Sequence, residues 1–209
     1  MKKNSFIVVS QRIEYFKKNR EFRDCLDQRL IKWLGSKNYI SIPLPNNLVK
    51  FKKYYCDYKE IKKWLDKINP KAFLLSGGHD IGKFKNRDLT EVYILNWAIK
   101  KKKPLLGICR GMQVISTVFG SKLIKCENHI KTRHKIYFSK KKIKKTVNSF
   151  HAFTIDKCPK NFSILAKSSD GCIEAIKHDF LPIEGWMWHP EREKIFSKFD
   201  LNKLKNIFN

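Results

Sequence analysis

The segment richest in chemistry is Pro104-Leu105-Leu106-Gly107-Ile108-Cys109-Arg110-Gly111-Met112-Gln113. An apolar run leads into Cys109, a helical pattern begins directly after it, and a glycine stands two residues away on either side. This is the layout of a nucleophile elbow with cysteine in place of serine. The sharp turn lifts the side chain out of the sheet, and the backbone packing around it admits only small neighbours. A helix start beside the sulfur supplies unsatisfied N–H groups and the positive end of the helix dipole, and both favour the thiolate. A nucleophilic cysteine needs a base. Of the histidines at 79, 129, 134, 151, 178 and 189, His189 sits in Gly185-Trp186-Met187-Trp188-His189-Pro190-Glu191, just past a strand-like run and in a turn stiffened by Pro190. Glu191, two residues on, can bond the imidazole and fix its tautomer. The pattern predicts Cys109 as nucleophile, His189 as general base and then acid, and Glu191 as the orienting carboxylate. His79, His129 and His134 are too scattered along the chain to be read as a metal site; no metal and no cofactor is expected.

An elbow of this kind needs a strand–turn–helix frame, and the rest of the chain supplies one. Short apolar runs alternate with amphipathic stretches, as in βα units. Strands are expected at Phe6–Val9, Tyr39–Leu44, Ala72–Leu75 and Pro104–Ile108. Helices are expected from Phe22 to Gly35, then over Tyr58–Ile68, Leu89–Lys100 and Gly111–Phe119. The second half changes character: shorter strands at His134–Phe138, Ile164–Lys167, Cys172–Lys177 and Ile183–Met187 precede a terminal helix over Phe196–Phe208. The run Lys140–Lys145 reads as a solvent-facing loop or hairpin tip. The pattern describes a single domain over residues 1–209.

Composition narrows the field of functions. Forty-two per cent hydrophobic residues, among them fifteen Phe and five Trp, exclude a disordered chain. Apolar runs fall far short of the ~20 residues of a membrane-crossing helix, and the short apolar core near Met1 is a first strand rather than a signal peptide. The six cysteines form no CxxC pair and read as free thiols of a cytoplasmic protein. The formal net charge of +26 invites a nucleic-acid reading, yet only eight of the forty-five basic residues are Arg. Arg is the residue of bidentate base and phosphate recognition. Lysines scattered through the whole chain resemble the codon bias of an AT-rich genome, so neither nucleic acid nor membrane is an expected partner. Arg12, Arg20, Arg23 and Arg29 are the exception, because they cluster after the first strand. Ligands of open α/β sheets bind at the carboxyl ends of strands, so this region, with Tyr15, is expected to meet an anionic substrate group or else to form surface pairs.

Taken together, Gly-x-Cys-x-Gly-x-Gln at 107–113 and Trp-His-Pro-Glu at 188–191 resemble the class I glutamine amidotransferase superfamily, more closely its γ-glutamyl hydrolase (peptidase C26-type) branch. Supporting segments are Arg23-Asp24-Cys25-Leu26-Asp27-Gln28-Arg29, Ser76-Gly77-Gly78-His79-Asp80-Ile81, Val147-Asn148-Ser149-Phe150-His151 and Gly171-Cys172-Ile173-Glu174-Ala175-Ile176. The resemblance spans about Phe6 to Glu193. It implies a flavodoxin-like α/β sandwich with a mostly parallel central sheet flanked by helices, plus a smaller antiparallel element in the second half. It places an oxyanion hole at the backbone N–H groups of Gly78 and Arg110. It assigns the glutamyl end of the substrate to Gln113 and the Ser149–Phe150 backbone, while His151 is open between packing and substrate contact. The implied reaction is hydrolysis of a γ-glutamyl amide through a glutamyl thioester. The expected substrate is γ-glutamyl-CDP-amidate, giving L-glutamate and cytidine diphosphoramidate in capsular polysaccharide modification. The alternatives are a glutaminase subunit delivering ammonia to a synthase partner, or a hydrolase of another small γ-glutamyl compound.

Overall fold

A computed structural model describes residues 5–139 and 143–209. The chain opens with β1 (Phe6–Ser10) and a hairpin, β2 (Arg12–Phe16) and β3 (Glu21–Cys25), then α1 (Gln28–Gly35) and β4 (Ile40–Leu44). Two short strands, β5 (Lys50–Phe51) and β6 (Cys56–Asp57), precede α2 (Lys59–Ile68), β7 (Ala72–Leu75), α3 (Lys85–Lys101), β8 (Leu105–Ile108) and α4 (Arg110–Val118). There follow β9 (Leu123–Lys125), β10 (Ile130–Phe138), β11 (Lys144–Phe150), β12 (Phe153–Ile155), β13 (Phe162–Ser168), β14 (Ile173–His178), β15 (Ile183–Trp186) and α5 (Lys198–Phe208).

Nine strands make one sheet in the order β11-β10-β13-β14-β15-β8-β7-β1-β4. From β15 to β4 all neighbours are parallel. From β15 outward to β11 they are antiparallel. The antiparallel element of the second half therefore extends the central sheet itself. Alternate residues of the parallel strands face opposite layers, as the strand repeat of two requires. Val8, Phe73, Leu75 and Leu105 pack with Ile61, Leu65, Ile94 and Ile115 from α2, α3 and α4. Ile7, Val9, Leu74, Leu106 and Ile108 pack with Trp33 and Leu34 of α1 and with Leu204 and Phe208 of α5. The sheet thus has helices on both faces, and the carboxyl ends of β1, β7, β8 and β15 come together at one rim.

One expected element is wrong. The helix read from Phe22 begins only at Gln28, capped by Asp27, whose side chain accepts from the Arg29 N–H. Residues 12–25 form the β2–β3 hairpin instead. Phe22 belongs to no apolar helix face; it is 70% exposed and packs at a tilt against Tyr15 across the hairpin. The stretch Lys144–Phe150, where the sequence suggests only the end of a lysine loop, is a full strand paired to β10. Of the Lys140–Lys145 run, residues 140–142 lie outside the described residues, and Lys144 and Lys145 open β11.

Candidate active site

Cys109 stands between β8 and α4 with φ 51° and ψ −106°. A non-glycine residue in such a conformation is held there by its surroundings at a cost of about 1–3 kcal/mol. Here the surroundings are two glycines. A Cβ on Gly107 would come within 2.4 Å of the Gly111 backbone, and one on Gly111 within 2.2 Å of the Leu75 carbonyl oxygen. The elbow therefore closes only because β8 and the first turn of α4 touch backbone to backbone and lean on β7. The turn is fixed from β15 as well, where the Trp186 carbonyl accepts from the Cys109 N–H at 2.7 Å.

His189 enters from the carboxyl end of β15. Its Nδ1 is 2.7 Å from Glu191 Oε1, and both side chains are buried. That bond leaves Nε2 for the Cys109 sulfur, whose charge is among those acting on the ring. Burial alone pushes the imidazole down. The charges of Glu191 and Cys109, with the hydrogen bond to Glu191, outweigh this and raise it to about 9. Asn148 on β11 holds the backbone of the same residue from both sides: its Nδ2 donates to the His189 carbonyl at 2.8 Å and its Oδ1 accepts the His189 N–H at 2.9 Å. Gly77 is the packing partner of the ring, since a Cβ there would lie 2.5 Å from His189 Cε1.

A buried ionic network ties the loop after β7 to α4, the helix that follows Cys109. Arg87 on α3 donates through Nη2 to the carbonyls of Ser76 (2.8 Å) and Gly77 (3.0 Å) and through Nε to Glu91 at 3.0 Å. Glu91 also pairs with Arg110, whose other guanidinium nitrogen reaches Asp88 at 2.5 Å. Burial lowers both arginines to about 9, each further depressed by a neighbouring guanidinium. Ser10 of β1 accepts the Ser76 N–H at 2.9 Å and donates to Glu91 at 2.7 Å. The Ser76-Gly77-Gly78 loop, with Gly78 at φ 143°, is thus held through the Ser76 and Gly77 carbonyls and the Ser76 N–H.

These features match a family. The model of the class-I glutamine amidotransferases matches residues 45–208. The chain belongs to the class-I glutamine amidotransferase family. Among curated proteins of this family it is 36% identical to the γ-glutamyl-CDP-amidate hydrolase of Campylobacter jejuni subsp. jejuni serotype O:2, over 97% of this chain and 94% of that one. It is 35% identical to a glutamine-hydrolysing GMP synthase subunit of Methanocaldococcus jannaschii, over 58% of this chain and 64% of that protein. The fold is also that of a putative GMP synthase subunit from Thermoplasma acidophilum, with a TM-score of 0.73, 18% identity and coverage of 99% of this chain and 94% of that one.

The remaining residues predicted for the site divide in two. Arg12 lines a small cleft with Asp27, Ser76, Gly77, His189, Glu191 and Arg192, and its aliphatic carbons lie against Gly78. Gln113, buried on α4, donates to the Phe153 carbonyl at 3.0 Å. Phe150 meets the His189 ring edge-on at 5.6 Å and is covered by the Arg192 guanidinium. Tyr15 and Arg23 stay on the outer hairpin: Tyr15 is 46% exposed and Arg23 pairs with Glu21 and lies 4.0 Å from the Phe16 ring centroid. Arg29 pairs with Asp27. Of the clustered arginines, the cleft takes Arg12, and the others named here form the surface pairs. Ser149 donates to the His129 carbonyl at 2.6 Å, and the His151 side chain is spent on buried partners, among them the Phe153 carbonyl at 3.1 Å from Nδ1. Sequence reasoning missed Asn148 and the Arg87–Glu91–Arg110 network as positioning groups, and Arg192 as a second cation of the cleft. The last adjoins the Trp-His-Pro-Glu motif and was within reach.

Proposed function

We propose that this chain is a cysteine amidohydrolase of γ-glutamyl-CDP-amidate. Cys109 attacks the γ-glutamyl carbonyl, and His189 protonates the departing nitrogen, releasing cytidine diphosphoramidate. Water, deprotonated by His189, then cleaves the glutamyl thioester to give L-glutamate and the free thiol. Glu191 holds Nδ1–H and steadies the imidazolium. The N–H groups of Gly78 and Arg110 receive the oxyanion of each tetrahedral state, and one such donor is worth about 3–4 kcal/mol. Gln113 and the Ser149–Phe150 backbone hold the glutamyl end, and Arg12 meets the diphosphate.

The reaction rests on the Cys109 elbow facing a His189–Glu191 pair. The choice of substrate rests on one observation, the end-to-end match to the Campylobacter hydrolase. The Arg12 guanidinium at the cleft accords with an anionic leaving group. The match to separately encoded GMP synthase subunits favours a second reading, a glutaminase that hands ammonia to a partner. Glutamate release from γ-glutamyl-CDP-amidate and from glutamine, by the purified chain alone, separates the two. The first reading expects rapid turnover of the nucleotide amide and little of glutamine; equal rates would sink it. The proposed reaction belongs in the cytoplasm, where a nucleotide-linked substrate is made. Among the described residues no helix is long and apolar enough to cross a membrane.

A further inference from the structure

Behind the Ser149–Phe150 stretch the fold closes up histidines that lie far apart in sequence. His129 precedes β10, His134 lies within it, His151 follows β11, and Glu174 is on β14. Glu174 is fully buried, and neither of its oxygens receives a well-directed hydrogen bond. Around its Oε1 stand three imidazole nitrogens: His134 Nε2 at 3.1 Å, His129 Nδ1 at 3.4 Å and His151 Nε2 at 3.5 Å. His129 Nδ1 and His151 Nε2 are 3.2 Å apart.

The outer faces of the rings fix what the inner faces carry. His129 Nε2 lies 2.7 Å from Asp170 Oδ2, and a carboxylate accepts, so the proton is on Nε2. His151 Nδ1 lies 3.1 Å from the Phe153 carbonyl, which also only accepts, so the proton is on Nδ1. In the neutral rings the inward nitrogens, His129 Nδ1 and His151 Nε2, are therefore both lone pairs, aimed at each other beside a carboxylate. One shared proton would serve one such pair. A divalent cation serves all the converging atoms together.

The geometry points to a buried metal site for a zinc-like divalent ion, held by His129 Nδ1, His151 Nε2 and Glu174 Oε1, with His134 Nε2 as the fourth donor. In a tetrahedron with bonds of about 2.0–2.1 Å the ligand atoms stand ~3.3 Å apart; the separations from Glu174 Oε1 to the three imidazole nitrogens, and that between His129 Nδ1 and His151 Nε2, are 3.1–3.5 Å. Asp170 and the Phe153 carbonyl are the outer partners that orient the two ligating rings. The donors are buried protein groups, which makes the ion structural. It would pin the entry of β10 and the end of β11 to β14, and so stiffen the strand end that lines the glutamyl subsite.

Titration of the metal-stripped full chain with Co²⁺, and with Zn²⁺ in competition, tests this. One equivalent of Co²⁺ should bind with the intense visible absorption of a tetrahedral site, and Zn²⁺ should displace it and raise Tm. The same uptake is expected in Cys109→Ala, which sets the catalytic thiol aside. Asp170→Asn, at a half-exposed position, should weaken binding by about 10–100-fold, and Glu174→Gln should abolish it. Should wild-type chain take up no saturable equivalent of either ion, or should binding vanish in Cys109→Ala while surviving unchanged in Asp170→Asn and Glu174→Gln, the metal site is wrong and the cluster is a proton-sharing network.

Discussion

His189 carries the most information in a single titration. Left to burial it would be neutral at physiological pH; Glu191 and Cys109 reverse this and raise it to about 9. Its proton is thus present through neutrality and lost as pH climbs through about 9. The basic limb of kcat/KM should fall there, because the leaving nitrogen loses its acid. Glu191→Gln should move that limb toward neutral pH and cut kcat by about ten thousand-fold, by analogy with loss of the orienting carboxylate in a serine triad. The same sign governs folding. A raised histidine stabilises the fold fully below its unfolded value of ~6.5, and that contribution fades as pH rises through about 9. Cys109→Ala should leave the circular dichroism spectrum intact and bring glutamate release to background; measurable turnover would move the nucleophile elsewhere. These residues were legible in the sequence because each declares itself locally: glycines flanking a cysteine, and a carboxylate two residues past a histidine. The His129, His134, His151 and Glu174 cluster was not legible. Its members meet only through the pairing of β10, β11, β13 and β14, which no spacing announces.

At the level of elements, the elbow depends on α4 seating against the ends of β7 and β8. Gly111→Ala would drive a Cβ into the Leu75 carbonyl, a backbone atom that cannot swing aside. Overpacking of this kind costs about 1–3 kcal/mol, and a shift toward the upper end lowers Tm by at least ~5 °C. Activity should fall further than stability, since Cys109 rides on the same turn; a differential scanning trace beside a glutamate assay reads both. The parallel half of the fold followed from sequence because its strands are buried runs and its helices have one apolar face. The β2–β3 hairpin did not. Its contacts are those of paired strands: Tyr15 on Phe22 and Glu14 opposite Arg23 across the hairpin, and Arg23 paired with Glu21 along β3. The apolar positions at Phe22, Cys25 and Leu26 happened to continue the period of α1. The Asp27 cap marked the true start of that helix.

For the molecule as a whole, the net charge of +26 acts as a field. It should raise the encounter rate with an anionic substrate and lose that advantage as salt is added. KM for a nucleotide amide is expected to rise with ionic strength, while KM for a neutral γ-glutamyl amide holds nearly constant. Superimposed on this, Arg12→Ala should raise KM for the nucleotide amide severalfold, and Arg23→Ala, already paired on the hairpin, should not; matched effects would remove the role given to Arg12. The sheet supplies a further use for the lysines. Its two open edges are β11 and β4. The first begins Lys144-Lys145 and the second carries Pro43 within it. Charge on one edge and a missing N–H donor on the other both discourage a foreign strand from docking there. A nine-stranded sheet rich in buried valine, isoleucine and leucine is a natural template for amyloid-like growth, and these two edges set a limit to its width.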